Sequence, residues 1–202
     1  MGLNKKINIE NLKENRAVSE AREKLRGDRT RGIVKWVFEI IVTLVFAVLV
    51  AISAFQTVTL QESAMEPTYS VSEKFFVNRA LYKISSPKRG DVIVFKTSAS
   101  DSAALHIRRV IGLPGETVQV KDGKIYINGK VYEENGAYQD MTDGGLANSA
   151  ITLESGEYFV LGDNRNNSED SRFSDIGNIS KKYIVGKVWF TVSPKNKIGF
   201  IK

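Results

Sequence analysis

The sequence predicts a mainly β domain, a folded β-sheet or barrel, behind one N-terminal transmembrane helix. A long apolar run covers residues 33–55, and after Ile40 its only polar residues are Thr43 and Ser53. Further on, Asp122-Gly123 and Asn128-Gly129 separate short alternating runs, which is the strongest short-range signal for β-hairpins. No segment after the apolar run shows helical periodicity. The chain is therefore divided into a cytosolic tail (1–32), a transmembrane helix (33–55) and an extracytoplasmic β domain (56–202).

The composition of the chain argues against several classes of site and partner. The chain has 202 residues, 42% of them hydrophobic, a formal net charge of +6 and no Cys. Without Cys there is no disulfide or zinc-thiolate site, and the redox compartment stays undetermined. No basic stripe with interleaved aromatic residues is present, so a nucleic-acid partner is not expected. No cofactor or metal site is expected either.

The tail before the apolar run is rich in cations, and a weak apolar stripe predicts a solvated helix there. Its Lys and Arg residues are Lys5, Lys6, Lys13, Arg16, Arg22, Lys24, Arg26, Arg29 and Arg31. Basic residues flanking a span favour the cytoplasmic side. The predicted protein is thus a single-pass protein of the cell membrane, with a cytoplasmic N-terminus and its main domain outside.

The run at 33–55 is long enough to span a bilayer, which needs about 20 apolar residues. Trp36 and Phe38 suit the interfacial belt, and Lys35 and Glu39 can reach headgroups. A cleaved signal peptide is the main alternative, because Ala51–Ala54 supplies small residues; however, the preceding region is unusually long for one. A buried core helix fits less well, because the run is apolar all round.

The remaining chain reads as short strands separated by turn residues. Predicted strands cover 74–78, 91–96, 105–111, 117–121, 124–127, 130–132, 158–161 and 183–192. The run at 91–96 is continuously apolar, as expected for a strand buried on both faces. Gly136–Ser149 is polar and glycine-bearing and is predicted to be a loop.

Four sequence blocks, in this order, carry a resemblance to a known family. They are SAMEPT at 63–68, RGDVIVF at 89–95, RRVIGLPGE at 108–116 and GDNRNNSEDSR at 162–172. Together they resemble the type I signal peptidases, in the single-span branch of that family. The last block is highly specific, since it matches the family pattern at every fixed position. The likeness extends from the apolar run to Val192.

The resemblance implies a Ser–Lys catalytic dyad whose two positions are both substituted here. The family's Ser directly precedes the Met of the first block, where this chain has Ala64. The family's Lys directly precedes the Arg of the third block, where this chain has Arg108. The family also places an oxyanion donor two residues before the nucleophile, and that position is Glu62.

These substitutions oppose catalysis on chemical grounds. Acyl transfer to serine needs a hydroxyl, and Ala64 has only a methyl group. A buried Lys can lose its proton and act as a base, whereas Arg cannot be deprotonated in proteins. The charge of Glu62 would oppose a developing oxyanion.

A rebuilt site is an open alternative. Ser63 is one residue from the nucleophile position, and in an extended segment its side chain is expected to point away from that of Ala64. His106 is the only His, and it shares a strand face with Arg108. A Ser63–His106 pair would supply a nucleophile and a base.

The resemblance also assigns supporting roles. Ser168 would hydrogen-bond the base, while Asp170 and Arg172 would form an ion pair that shapes the site. Glu62 and Met65 are predicted to border the substrate groove.

Two functions follow from the sequence. The first is a non-catalytic signal-peptidase-like protein, a pseudoenzyme that binds secretory signal-peptide or pilin-like precursors or assists pilus assembly. The alternative is an active serine endopeptidase that removes signal peptides. Its activity would come from Ser63 and His106, or Ala64 and Arg108 would have been introduced into an active parent.

Overall fold

The computed structural model describes residues 30–100 and 103–201, so the predicted tail at 1–32 lies almost wholly outside the described residues. Helix α1 covers Thr30–Ala54. Among the described residues it is the one helix long and apolar enough to cross a membrane, and none of its most apolar stretch is buried. A core helix of a soluble protein would be mostly buried. Thr43 satisfies its hydroxyl within the helix by donating to the Glu39 carbonyl at 2.8 Å.

The chain divides between Ile52 and Ser53 into two compact units, and the second is mainly β, as predicted. Its larger sheet has eight strands, in the spatial order β1-β2-β11-β3-β4-β9-β10, with β12 paired to β11. These strands are β1 (Phe55–Thr59), β2 (Lys74–Asn78), β3 (Val92–Phe95), β4 (His106–Gly112), β9 (Glu157–Leu161), β10 (Ile179–Ser180), β11 (Ile184–Ser193) and β12 (Gly199–Phe200). All the strand pairings recorded in this sheet are antiparallel.

The smaller sheet has four strands in the order β7-β6-β5-β8. Its strands are β5 (Thr117–Lys121), β6 (Lys124–Ile127), β7 (Lys130–Val131) and β8 (Ile151–Thr152). Asp122 and Gly123 both have positive φ, at 51° and 74°, as do Asn128 and Gly129, at 52° and 76°. Two successive positive φ values are what a two-residue hairpin turn needs. The predicted hairpins are confirmed.

Strands β3 and β4 occupy the centre of the larger sheet and are buried almost throughout. One core cluster joins Met65, Phe75, Val92 and their neighbours. Others lie under the smaller sheet and around Tyr158. Because β4 is central, the side chains of Arg108 and Arg109 are held inside the domain, 1% and 8% exposed.

Several boundaries differ from the prediction. The described part of the helix already includes Thr30, three residues before the predicted start, and Phe55 belongs to β1, where it stacks on Trp189 with ring centroids 5.3 Å apart. A short helix α2 (Leu81–Ile84) was not predicted, nor were β1, β8, β10 and β12. The predicted loop Gly136–Ser149 contains a 3-10 turn at Gly145–Asn148 with Ala147 buried.

Candidate active site

The segment predicted to carry the nucleophile position is a tight turn. Ser63–Met65 forms one turn of 3-10 helix, with Ala64 and Met65 buried. The expectation of an extended segment is therefore wrong, and the strand geometry from which opposite faces were expected for Ser63 and Ala64 does not apply. Both residues line the same cavity. A 3-10 turn has about three residues per turn, so neighbouring side chains diverge by less than they do in a strand.

The loop after β9 holds this turn in place. The Asn164 backbone N–H donates to the Ala64 carbonyl at 2.9 Å, and its side-chain Nδ2 donates to the Ser63 carbonyl at 3.2 Å. Gly162 lies so close that a Cβ there would overlap both the Ala64 carbonyl and the Ser168 hydroxyl. Only glycine fits this approach.

Strand β4 delivers Arg108 to the same place. Its guanidinium donates to the Glu169 carbonyl at 2.7 Å, to the Ile107 carbonyl at 2.8 Å and to Glu62 Oε2 at 2.6 Å. All three of its nitrogens are thereby engaged. A guanidinium held in this way donates hydrogen bonds and accepts no proton.

Glu62 contacts two residues of β4. Its Oε1 lies 2.9 Å from His106 Nδ1, and its Oε2 pairs with Arg108. The His106 contact and the Arg108 charge together outweigh partial burial and lower the pKa of the Glu62 carboxyl to about 2. Glu62 is therefore a carboxylate at neutral pH, and it fixes negative charge beside Ala64.

The structure gives Ser63 and His106 different partners. The Ser63 hydroxyl accepts a hydrogen bond from Asn167 Nδ2 at 3.2 Å. His106 faces Glu62 through Nδ1, and its ring stacks on Phe95 with centroids 5.6 Å apart. Among the described residues, no hydrogen bond joins the Ser63 hydroxyl to the His106 imidazole.

Ser168 carries an unsatisfied hydroxyl. Its Oγ is buried and has no hydrogen-bond partner within the part of the chain that the structure describes. A buried hydroxyl without a partner costs about 1–3 kcal/mol. Arg108 lines the same cavity but directs its donors to Glu62 and two backbone carbonyls.

A cavity of about 490 Å³ opens at this cluster. Its lining residues are Glu62, Ser63, Ala64, Arg108, Asn166, Asn167, Ser168, Glu169, Phe173 and Asp175. Glu62 thus borders the cavity. The prediction for Met65 is wrong: this side chain has no exposed surface and packs in the core. The 3-10 turn directs it inward, away from the cavity.

Two buried ion pairs brace the loop behind the cavity. Arg172 donates to both oxygens of Asp170 at 2.8 Å, and Asp170 also accepts from the Gly162 N–H at 3.1 Å. Arg109 donates to the two oxygens of Asp163 at 2.9 and 2.6 Å. Among the described residues, no group of three His, Asp or Glu side chains is placed to hold a metal ion.

Comparison with known proteins identifies the family. The sequence profile of "Signal peptidase, peptidase S26" matches residues 33–193 of this chain, which include the whole cavity. The chain belongs to the signal peptidase I family. The signal peptidase I of Bacillus amyloliquefaciens is 36% identical over 186 residues, covering 87% of this chain and 96% of that protein. The signal peptidase I T of Bacillus subtilis (strain 168) is 33% identical over 183 residues, covering 87% and 93%.

A solved structure is also similar. The crystal structure of a signal peptidase I from Enterococcus faecalis V583 aligns with 52% of this chain and 98% of its own, at 32% identity and a TM-score of 0.42.

Several residues of this candidate site were not predicted. Gly162, Asn164 and Asn167 hold the turn, and the Glu169 carbonyl fixes Arg108. All four lie in the GDNRNNSEDSR block, so a signal for their importance was present in the sequence. The block alone does not show which of its residues contact the turn at Ser63–Met65, about a hundred positions earlier in the chain.

The low pKa of Glu62 leads to a test by pH. A carboxyl whose folded pKa is near 2, against an ordinary 4.5, stabilises the fold above about pH 5. That contribution is lost as the pH falls towards about 2. The thermal midpoint of the unchanged chain should therefore exceed that of Glu62→Gln most clearly near pH 5 to 6. The two midpoints should converge towards about pH 2.

Thermal denaturation of both detergent-solubilised chains between about pH 2 and 6 measures this difference. Glu154→Gln, at an exposed position, is the matched control and should show no pH-dependent difference. A Glu62→Gln difference that stays constant with pH would show that the carboxylate is not ion-paired.

Proposed function

We propose that this protein is a membrane-anchored, non-catalytic member of the signal peptidase I family. It binds secretory signal-peptide or pilin-like precursors, or assists their assembly, at the outer face of the cell membrane. Its N-terminus is cytoplasmic, helix α1 is the anchor and the β domain is extracytoplasmic. The family relationship and the apolar helix support this proposal.

The observation that carries the proposal is the Glu62–Arg108 pair beside Ala64. The side chain at the proposed base position is a guanidinium with three hydrogen bonds, so it takes no proton from a nucleophile. The side chain at the proposed nucleophile position is a methyl group, which forms no acyl intermediate. Glu62 adds negative charge where a tetrahedral intermediate would need donors.

The residues that hold the cavity in shape support a binding function rather than the loss of all function. Gly162, Asn164 and two buried ion pairs keep a cavity open where a peptidase would hold its substrate. The buried Ser168 hydroxyl has no partner among the described residues, so a polar group at the cavity is left for another molecule to contact. An extended precursor segment could lie along a strand edge and place a small side chain in the cavity.

The test uses the full-length chain in detergent and a secretory precursor with a small-x-small cleavage site. We expect the chain to retain the precursor in a pull-down without cleaving it, and not to retain the same protein lacking its signal peptide. Asn167→Trp, on the exposed cavity wall, should weaken retention at least about tenfold, or about 1.4 kcal/mol.

Lys124→Trp, on the exposed surface of the smaller sheet, is the matched control and should retain the precursor. Cleavage above the buffer blank that disappears in Ser63→Ala would favour the active-peptidase alternative instead. If the precursor is neither retained nor cleaved, both functions are rejected.

A further inference from the structure

A second concave surface of the β domain has a composition unlike that of the candidate active site. It is a groove of about 930 Å³, here named the cationic groove, which carries five basic side chains. These are Arg79, Lys83, Lys96, Lys181 and Lys182. Among the residues that the structure describes, no acidic side chain lines it. Such a groove concentrates positive potential and attracts anions.

The basic side chains come from separate parts of the chain. Arg79 follows β2, Lys83 lies on α2, Lys96 follows β3, and Lys181 and Lys182 precede β11. Arg79, Lys83 and Lys182 are exposed, and the other two are half-buried. Folding therefore collects five like charges that the sequence distributes over a hundred positions. Like charges brought together raise the free energy of the fold unless an anion accompanies them.

Lys181 is held in position for such an anion. Its Nζ donates to the Ser85 carbonyl at 2.8 Å and to the Ser86 hydroxyl at 3.1 Å. An ammonium has three donors, so one proton is left over after these two contacts. Both partners are neutral, so the contacts orient the ammonium without neutralising its charge.

One lining residue of the groove is close in sequence to the end of the proposed membrane anchor. Gln56 lines the groove and is the second residue after Ala54, where helix α1 ends. Two residues span at most about 7 Å. If α1 crosses the bilayer, its end lies at the headgroup layer, and Gln56, a lining residue of the groove, lies within about 7 Å of that end along the chain. The groove also has apolar lining residues, among them Leu105 and Val185.

We infer that the cationic groove binds the headgroup of an anionic phospholipid, of the phosphatidylglycerol type, and so orients the β domain on the membrane surface. The phosphate diester would accept from Lys181 and its basic neighbours, while the glycerol and the first acyl carbons would lie against the apolar lining. This inference rests on the proposed membrane anchorage. Each Lys or Arg near an anionic membrane surface strengthens binding to that surface about fivefold.

The experiment titrates the full-length chain, in neutral detergent, with short-chain phosphatidylglycerol below its micelle concentration. Parallel titrations use short-chain phosphatidylcholine and inorganic phosphate, and calorimetry reports binding. We expect phosphatidylglycerol to bind at least about tenfold more tightly than either, with an affinity that falls as salt rises. Equal binding of the two lipids, or tighter binding of inorganic phosphate, would overturn the inference.

Variants test whether the lipid binds at the cationic groove. The triple variant Arg79→Gln, Lys83→Gln, Lys182→Gln should lose at least about tenfold in affinity for phosphatidylglycerol. The matched triple Lys121→Gln, Lys124→Gln, Lys130→Gln removes the same charge from exposed positions of the smaller sheet and should bind normally. Equal losses of affinity in both triple variants would show that binding depends only on net charge and would overturn the inference. If the groove triple does not fold, the single exposed change Lys83→Glu must still weaken binding by several fold.

Carbonate extraction of cell membranes tests the anchorage separately. A chain released by carbonate would refute the proposed anchor without affecting the titration in detergent. A chain that stays in the membrane but shows no lipid preference would refute the groove assignment alone.

Discussion

The triple variant Ala64→Ser, Arg108→Lys, Glu62→Ser is expected to cleave a signal-peptide precursor at least about a thousandfold faster than the unchanged chain. The serine introduced at position 64 would supply a hydroxyl on the turn held by Asn164 and Gly162. The lysine introduced at position 108 would project from β4 into the same cavity, where the buried Ser168 hydroxyl lacks a partner among the described residues. General-base catalysis contributes about 10²–10⁴-fold.

Glu62 makes the third change necessary. Its carboxylate lies 2.6 Å from the Arg108 guanidinium, so it would also lie within reach of an ammonium at position 108. An opposite charge at that distance favours the protonated form and raises the pKa of the lysine. The double variant Ala64→Ser, Arg108→Lys should therefore cleave much more slowly than the triple variant near pH 7. The pH at which its cleavage rate rises should lie about one pH unit above that of the triple variant.

Precursor cleavage by full-length chains in detergent, measured from about pH 6 to 10, checks both points. N-terminal sequencing of the product confirms the site of cleavage. Glu154→Gln, at an exposed position outside the cavity, is the control in the triple-variant background and should leave the rate unchanged, whereas Ser168→Ala should lower it. Equal rates in the double and triple variants would show that Glu62 does not hold the lysine protonated.

The elements predicted most closely are those with local causes. Strands β5 and β6 have the predicted bounds, because Asp122-Gly123 and the alternation around it lie in one short stretch. Strand β8 was missed, because its two residues are fixed by pairing with Thr117 and Val118, more than thirty positions away. The 3-10 turn was missed for the same reason. The groups that hold it belong to Asn164, a hundred positions further along the chain.

The candidate active site also has some features that the local sequence predicts and others that it does not. Ala64 and Arg108 were identified from the motifs in which they stand, and the chemistry of a methyl group and a guanidinium follows from residue type alone. The pairing of Glu62 with both His106 and Arg108 did not follow, because the sequence shows only that the two β4 residues share a strand face. Side-chain partners across a fold depend on loop paths that no local pattern specifies.

Asp163→Asn is expected to destabilise the β domain by about 3–5 kcal/mol. The Asp163 carboxylate is fully buried and accepts two hydrogen bonds from Arg109, whose third nitrogen donates to the Gly90 carbonyl at 3.0 Å. An amide at position 163 would leave the guanidinium buried without a counter-charge and set one N–H group against another. Breaking a buried pair from one side is costly for this reason.

Thermal denaturation of the full-length chain in detergent should show the midpoint falling by about 10 °C, since about 1 kcal/mol corresponds to 2–4 °C in a domain of this size. Asp175→Asn, at an exposed position of the same loop region, is the control and should change the midpoint little. The double variant Arg109→Met, Asp163→Leu removes both charges and should lose less than Asp163→Asn alone. Asp163 lies between Gly162 and Asn164, which hold the turn at Ala64, so Asp163→Asn should also weaken precursor retention. A midpoint as high as that of Asp175→Asn would mean that the Arg109–Asp163 pair does not brace the loop.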